Sequence, residues 1–62
     1  MRFSEAKKLN ENEEVFVIEK GGKNPRYRAE RVTEVSVEDK DAFIRCSDGR
    51  LYHHTALKRS DK

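Results

Sequence analysis

Any chemistry in this chain would come from Cys46, His53 and His54, from the arginines and rings around them, or from Gly21-Gly22. A thiolate and two imidazoles are zinc ligands. Adjacent residues on a strand project to opposite faces, so His53 and His54 are not expected to share one ion. A fourth ligand is also missing, and the sequence predicts no metal site and no cofactor. The histidine pair reads instead as the cap of a hairpin end that gains positive charge in mild acid. Gly21-Gly22 invites a phosphate-cradle reading, yet no Walker pattern is present and no helix follows, so it reads as a turn. No Ser/His/Asp set can be placed, and 62 residues leave no walls to exclude water. The chain does not read as an enzyme.

What remains is binding. Arg26, Arg28 and Arg31 interleave with Tyr27, and Arg45 and Arg50 with Phe43, Tyr52 and His54; Lys58 and Arg59 follow. Cations of this kind contact phosphates, and rings stack on bases or on aromatic side chains of a peptide. The overall balance is mild, with 14 basic against 12 acidic residues and a net charge of +2. Residues 15–35 carry +2 and residues 50–62 carry +3, while residues 36–49 carry −2 through Glu38, Asp39, Asp41 and Asp48. This is a dipole, not the strongly basic footprint of a dedicated nucleic-acid binder. The expectation is a monomeric binding module that uses a basic and aromatic sheet face. Its partner class stays open between protein and nucleic acid.

Those residues must be positioned by the stretch from Ala42 to His54. Two short apolar and aromatic runs flank Asp48-Gly49, which favours a two-residue type I′ hairpin turn. In that register Cys46 faces Leu51, Arg45 faces Tyr52, Ile44 faces His53 and Phe43 faces His54. Ile44, Cys46, Leu51 and His53 then form the core side. Phe43, Arg45, Tyr52 and His54 form the outer side, with a cation–π contact between Arg45 and Tyr52. That pair either shields the strands or forms a stacking platform. A one-residue slip would exchange the two faces.

The other elements follow in chain order. Ser4 to Leu9 reads as a short helix capped by Ser4, with Phe3, Ala6 and Leu9 on one side and Asn10 as its stop. Glu14 to Lys20 is a strand, and Val15-Phe16-Val17-Ile18 is apolar on both faces, so both should be covered: one by the core, the other by the helix. Gly21 to Pro25 is a loop, and Arg26 to Val35 is a second strand. A bulge near Glu30-Arg31 would return Ala29 and Val32 to one side. Ser36 to Asp41 is a charged loop, Thr55-Ala56-Leu57 suits a 3-10 turn anchored by Leu57, and the last residues form a frayed or edge-pairing tail.

Size and composition bound the whole. A chain of 62 residues is one domain: a helix and connector over 1–13, a β unit over 14–58, and a tail over 59–62. A chain this short hides only about 60% of its unfolded surface, so its stability is a few kcal/mol. The 42% charged content leans toward disorder, and the strand-like clusters oppose it. No apolar run approaches the roughly 20 residues that span a bilayer, and no signal peptide is visible. The single cysteine allows no internal disulfide, and a cytoplasmic location is expected.

The first strand, the Gly-containing loop, the bulged second strand through Ala29 and Val32, the Phe43–Tyr52 hairpin and the closing Thr55-Ala56-Leu57 turn together resemble the SH3-like small β-barrels. This group includes the Tudor-, KOW- and chromo-barrel modules and small bacterial and phage proteins of unassigned role. The resemblance spans roughly Glu14 to Lys58. It implies a mainly β fold: a small antiparallel barrel, or an open four- to five-stranded sheet, with a short N-terminal helix and a C-terminal 3-10 turn. The chain departs from SH3 peptide binders in having no Trp and no clustered acidic and aromatic loop. Tyr27, Phe43 and Tyr52 supply at most a partial cage for methylated lysine.

Overall fold

The computed structural model describes residues 1–19 and 23–60. A one-turn helix, α1 (Phe3–Ala6), precedes the strands β1 (Glu14–Glu19), β2 (Arg26–Glu38), β3 (Asp41–Cys46) and β4 (Leu51–His53). A 3-10 turn (His54–Ala56) then leads into β5 (Leu57–Arg59). The strands form one open antiparallel sheet in the order β4-β3-β2-β1-β5. The fold is mainly β, with the short helix and 3-10 turn expected from the sequence. The final residues do pair: Val17, Phe16 and Val15 of β1 stand opposite Leu57, Lys58 and Arg59.

Alternation sorts the side chains. Val15 and Val17 point inward with Val32, Ala42, Ile44, Cys46 and Leu57, all buried. Val17 lies opposite both Leu57 and Arg28, so Arg28 and Glu30 share the inner side of the sheet. Phe16 and Ile18 lie on the outer side with Ala29 and Tyr27, their cross-strand partners. Ala29 is thus exposed and Val32 buried, on opposite faces rather than one. The bulge expected near Glu30-Arg31 falls instead at Thr33, between the pairs Val32–Cys46 and Glu34–Arg45. The Thr33 hydroxyl donates to the Arg45 carbonyl at 3.0 Å, which holds the extra residue in place.

Two further elements depart from the sequence reading. The helix is one turn with Arg2 as its N-cap, and the Arg2 N–H donates to Glu5 Oε1 at 3.4 Å; Ser4 lies inside it. Its Ala6 is buried, and it packs on β3 and the 3-10 turn, not on the outer side of β1. The connector reverses at Asn12, whose φ is +71°. The charged segment after Val35 is not a loop. Ser36, Val37 and Glu38 extend β2, and the reversal is only Asp39-Lys40, with Asp39 at φ +53°. Asp tolerates this left-handed backbone better than most residues, which lets a tight turn form without glycine. The expected Gly21-Gly22 turn, Lys20 at the end of the first strand, and Asp61-Lys62 of the tail lie outside the described residues.

The central hairpin also differs. Ile44 pairs with Tyr52, Arg45 with Leu51 and Phe43 with His53, one residue out of the expected register. The Gly49 N–H donates to the Cys46 carbonyl at 2.9 Å, and the Cys46 N–H donates to the Arg50 carbonyl at 3.0 Å. Gly49, at φ +83°, alone takes the left-handed conformation there. This is a three-residue loop, Ser47-Asp48-Gly49, closed by a type I turn and a left-handed glycine, and it replaces the two-residue I′ turn. Ile44 and Cys46 face the core as expected. Leu51 faces out, 51% exposed, and Tyr52 faces in.

Ile44 is fully buried at the middle of this core. Ile44→Ala is expected to cost about 2–5 kcal/mol, enough to leave much of so small a domain unfolded. Urea denaturation followed by circular dichroism measures it.

Candidate functional site

The nine residues singled out from the sequence occupy six places. Arg28 and Tyr52 meet on the inner side. Tyr27 and Arg31 lie on the outer side of the first half of β2. Phe43 and Arg45 lie on the outer side of β3, beside Leu51 and His53. Arg26 opens β2 opposite Glu19, Arg50 stands against Cys46 beyond the turn, and His54 belongs to the 3-10 turn. No single face collects them. Arg45 lies across from Leu51, so its expected stacking on Tyr52 is replaced by a 3.1 Å hydrogen bond to the Gly49 carbonyl and a 3.8 Å approach to Glu34. The one-residue register shift is the physical reason.

The inner cluster is the densest polar arrangement. Arg28 Nη2 donates to the Tyr52 hydroxyl at 2.7 Å and to Asp48 Oδ2 at 3.0 Å, and the Tyr52 hydroxyl donates to the same carboxylate. Arg28 Nε lies 3.3 Å from Glu30 and 3.5 Å from Glu19. The Arg50 N–H also donates to Asp48 at 3.0 Å. The Tyr52 hydrogen bond, the Arg50 N–H and the Arg28 charge hold the Asp48 carboxyl below its ordinary value. Partial burial and the neighbouring Asp48 carboxylate push the Tyr52 phenol up. Burial, with Asp48 and Glu30 nearby, pushes the Cys46 thiol up to about 11, so this cysteine is an inert core residue. Three carboxylates surround Arg28. Its charge ties β2 to the hairpin and is not offered to a ligand.

The outer side of β1, β2 and β5 is different. Phe16 and Tyr27 pack edge to face with centroids 6.5 Å apart, and Lys58 Nζ stands 5.1 Å from the Tyr27 centroid. Tyr27 is 49% exposed. Register places Glu14 and Arg31 on this side too. The Ser60 hydroxyl donates to Glu14, and Arg31 Nη1 donates to the Asn12 carbonyl at 2.9 Å. The sequence pattern predicts a covered Phe16 and sets Lys58 near the hairpin. Only the β1–β5 pairing sets Lys58 beside Phe16.

His53, His54 and Asp41 form a third cluster. β4 ends at His53 and the 3-10 turn starts at His54, so strand alternation no longer separates them. Their rings lie 4.3 Å apart, and Asp41 Oδ1 is 2.8 Å from His53 Nε2. His53 was expected at the core edge. It instead packs against Phe43 at 5.3 Å on the outer side.

No helix among the described residues is long and apolar enough to cross a membrane. Comparison with protein-family models, with curated proteins and with solved structures gives no match to the chain.

Two outcomes test the inner cluster. Tyr52→Phe removes both hydroxyl hydrogen bonds and is expected to cost about 1–3 kcal/mol, with the Asp48 carboxyl returning toward its ordinary value. Urea denaturation and a carbon-detected carboxyl titration read the two effects. The pH profile has the opposite sign at each end. The lowered Asp48 carboxyl contributes stability that is lost as pH falls below about 4. The raised Tyr52 and Cys46 groups contribute stability present below their ordinary values of 10.0 and 9.0, and lost as pH rises through the folded-state values. The urea midpoint should therefore fall on both sides of a neutral plateau.

Proposed function

We propose that the protein is a small non-enzymatic binding module whose contact surface is the outer side of β1, β2 and β5, and that its ligand is single-stranded nucleic acid. The observation that carries this is Tyr27, a half-exposed ring braced edge-on by Phe16 with the Lys58 ammonium beside it. A braced ring offers a flat stacking surface that every base can use, and adjacent cations meet the backbone phosphates. Arg31 supplies a second cation on the same side. The carboxylate sharing it, Glu14, already accepts a hydrogen bond from Ser60. The resemblance to the SH3-like small barrels, whose KOW and Tudor members bind nucleic acid or protein, agrees with this reading. The small size leaves little room for a water-excluding active site.

A second reading is a protein partner added along the free edge of β4. Leu51, half exposed beside Phe43 and His53 at that edge, favours it.

Fluorescence anisotropy with labelled oligo-dT and oligo-U at low salt separates the two. Saturable binding is expected, and Tyr27→Ala should weaken it by about 1–3 kcal/mol, roughly 5- to 150-fold, without altering the fold. Lys58→Ala should reduce the slope of log K against log salt by about 0.7. A flat titration at low salt removes the nucleic-acid reading and leaves the edge of β4.

A further inference from the structure

We propose that Asp41, His53 and His54 form a binding site for a divalent transition-metal ion of the zinc class, independent of the contact face described above. One donor atom from each of the three lies within 4.8 Å of the other two. They come from separate elements: Asp41 opens β3, His53 ends β4 and His54 begins the 3-10 turn. The Phe43–His53 pairing brings the end of β4 alongside the start of β3. The change from extended backbone at His53 to the 3-10 turn then puts the second imidazole 4.3 Å from the first.

Each imidazole is already held through Nδ1. His54 Nδ1 lies 2.9 Å from the Met1 carbonyl oxygen. A carbonyl can only accept, so Nδ1 carries the proton and Nε2 keeps its lone pair for a metal. A histidine that donates its other ring N–H to a backbone carbonyl is the usual outer support of a metal ligand. The Phe3 ring edge at 5.9 Å restricts the same imidazole.

His53 Nδ1 accepts from the Thr55 N–H at 3.3 Å, which leaves Nε2 to donate its proton to Asp41 Oδ1 at 2.8 Å. The metal ion replaces that shared proton. The proton moves from Nε2 to Nδ1, where the Thr55 hydroxyl oxygen at 2.8 Å accepts it and the 3.3 Å hydrogen bond from the Thr55 N–H is given up. Nε2 and the carboxylate are then both free to ligate, and the His54 imidazole, protonated at Nδ1, needs no proton shift.

Two imidazoles and a carboxylate are a donor set for zinc and its first-row neighbours, not for calcium or magnesium. Metal–ligand bonds near 2.0–2.2 Å in a tetrahedral site put donor atoms about 3.3 Å apart. The Asp41–His53 spacing is 2.8 Å and no spacing exceeds 4.8 Å, so closure requires changes of up to about 1.5 Å. The Asp41 side chain, exposed beside the Asp39-Lys40 turn, can supply part of this by rotation. Three protein ligands leave at least one position for water, so the ion would be exchangeable.

The test is a titration of untagged, chelator-treated protein with zinc chloride near pH 7.5. Calorimetry gives the stoichiometry and affinity, and the histidine Cε1–H resonances give the location. One equivalent is expected to bind, with the signals of both His53 and His54 moving in step. Asp41→Asn keeps an oxygen that accepts from His53 but is a poor ligand, and should weaken binding at least ~10-fold with the amide spectrum otherwise preserved. His53→Gln should abolish the one-to-one event. Absence of saturable binding up to 1 mM zinc overturns the proposal. So does equal affinity in the wild type and Asp41→Asn, or movement of only one histidine.

Discussion

The left-handed backbone at Gly49 sets the phase of the β3–β4 ladder. Because Gly49 closes a three-residue loop, Cys46 stands across from Arg50 and Ile44 across from Tyr52. A two-residue loop would have moved every side chain of β4 to the opposite face. In the observed phase Tyr52 turns inward, where its hydroxyl bridges Asp48 to Arg28. The same phase sends Leu51 outward and leaves it half exposed, an apolar cost accepted at the sheet edge.

Among the described residues the core holds eight buried side chains, little for a chain of this length, and none of them is aromatic. The sheet compensates through polar ties at its ends. Arg28 joins the start of β2 to the β3–β4 turn through Asp48 and Tyr52. Ser47 adds a second tie, accepting from the Arg31 N–H and donating through its hydroxyl to Glu30. These contacts are charge-assisted and partly screened from water, so they contribute more than isolated surface pairs. They also fix where the arginine side chains of the sheet lie. The guanidinium of Arg28 is matched by carboxylates, and Arg31 and Arg45 are held by backbone carbonyls.

Two regions of different chemistry follow. On the outer side of β1, β2 and β5, alternation strands Phe16, Ile18 and Tyr27 away from the core, beside Lys58. At the other end, the break between β4 and the 3-10 turn brings two imidazoles and a carboxylate together. The first is a flat face suited to rings and phosphates. The second is a compact cluster of nitrogen and oxygen donors. They share no residue and are built by different ladders.

Much of the fold was legible from local pattern. The apolar run at Val15–Ile18, the strands around Phe43 and Tyr52, a 3-10 turn before the last strand and the anchoring role of Leu57 all follow from residue type and spacing. Local sequence also located the main hairpin turn, because Asp48-Gly49 tolerates few other conformations. It did not choose between two- and three-residue loops, since both accept glycine at that position. That choice depends on which register lets Ile44 and Cys46 fill the core while Tyr52 reaches Asp48 and Arg28, which are distant in sequence. The bulge at Thr33, the glycine-free turn at Asp39-Lys40 and the pairing of Lys58 with Phe16 are decided in the same way. The meeting of His53 with His54 was hidden for a related reason. Alternation holds only while a strand continues, and where β4 ends is set by the packing of the turn that follows it.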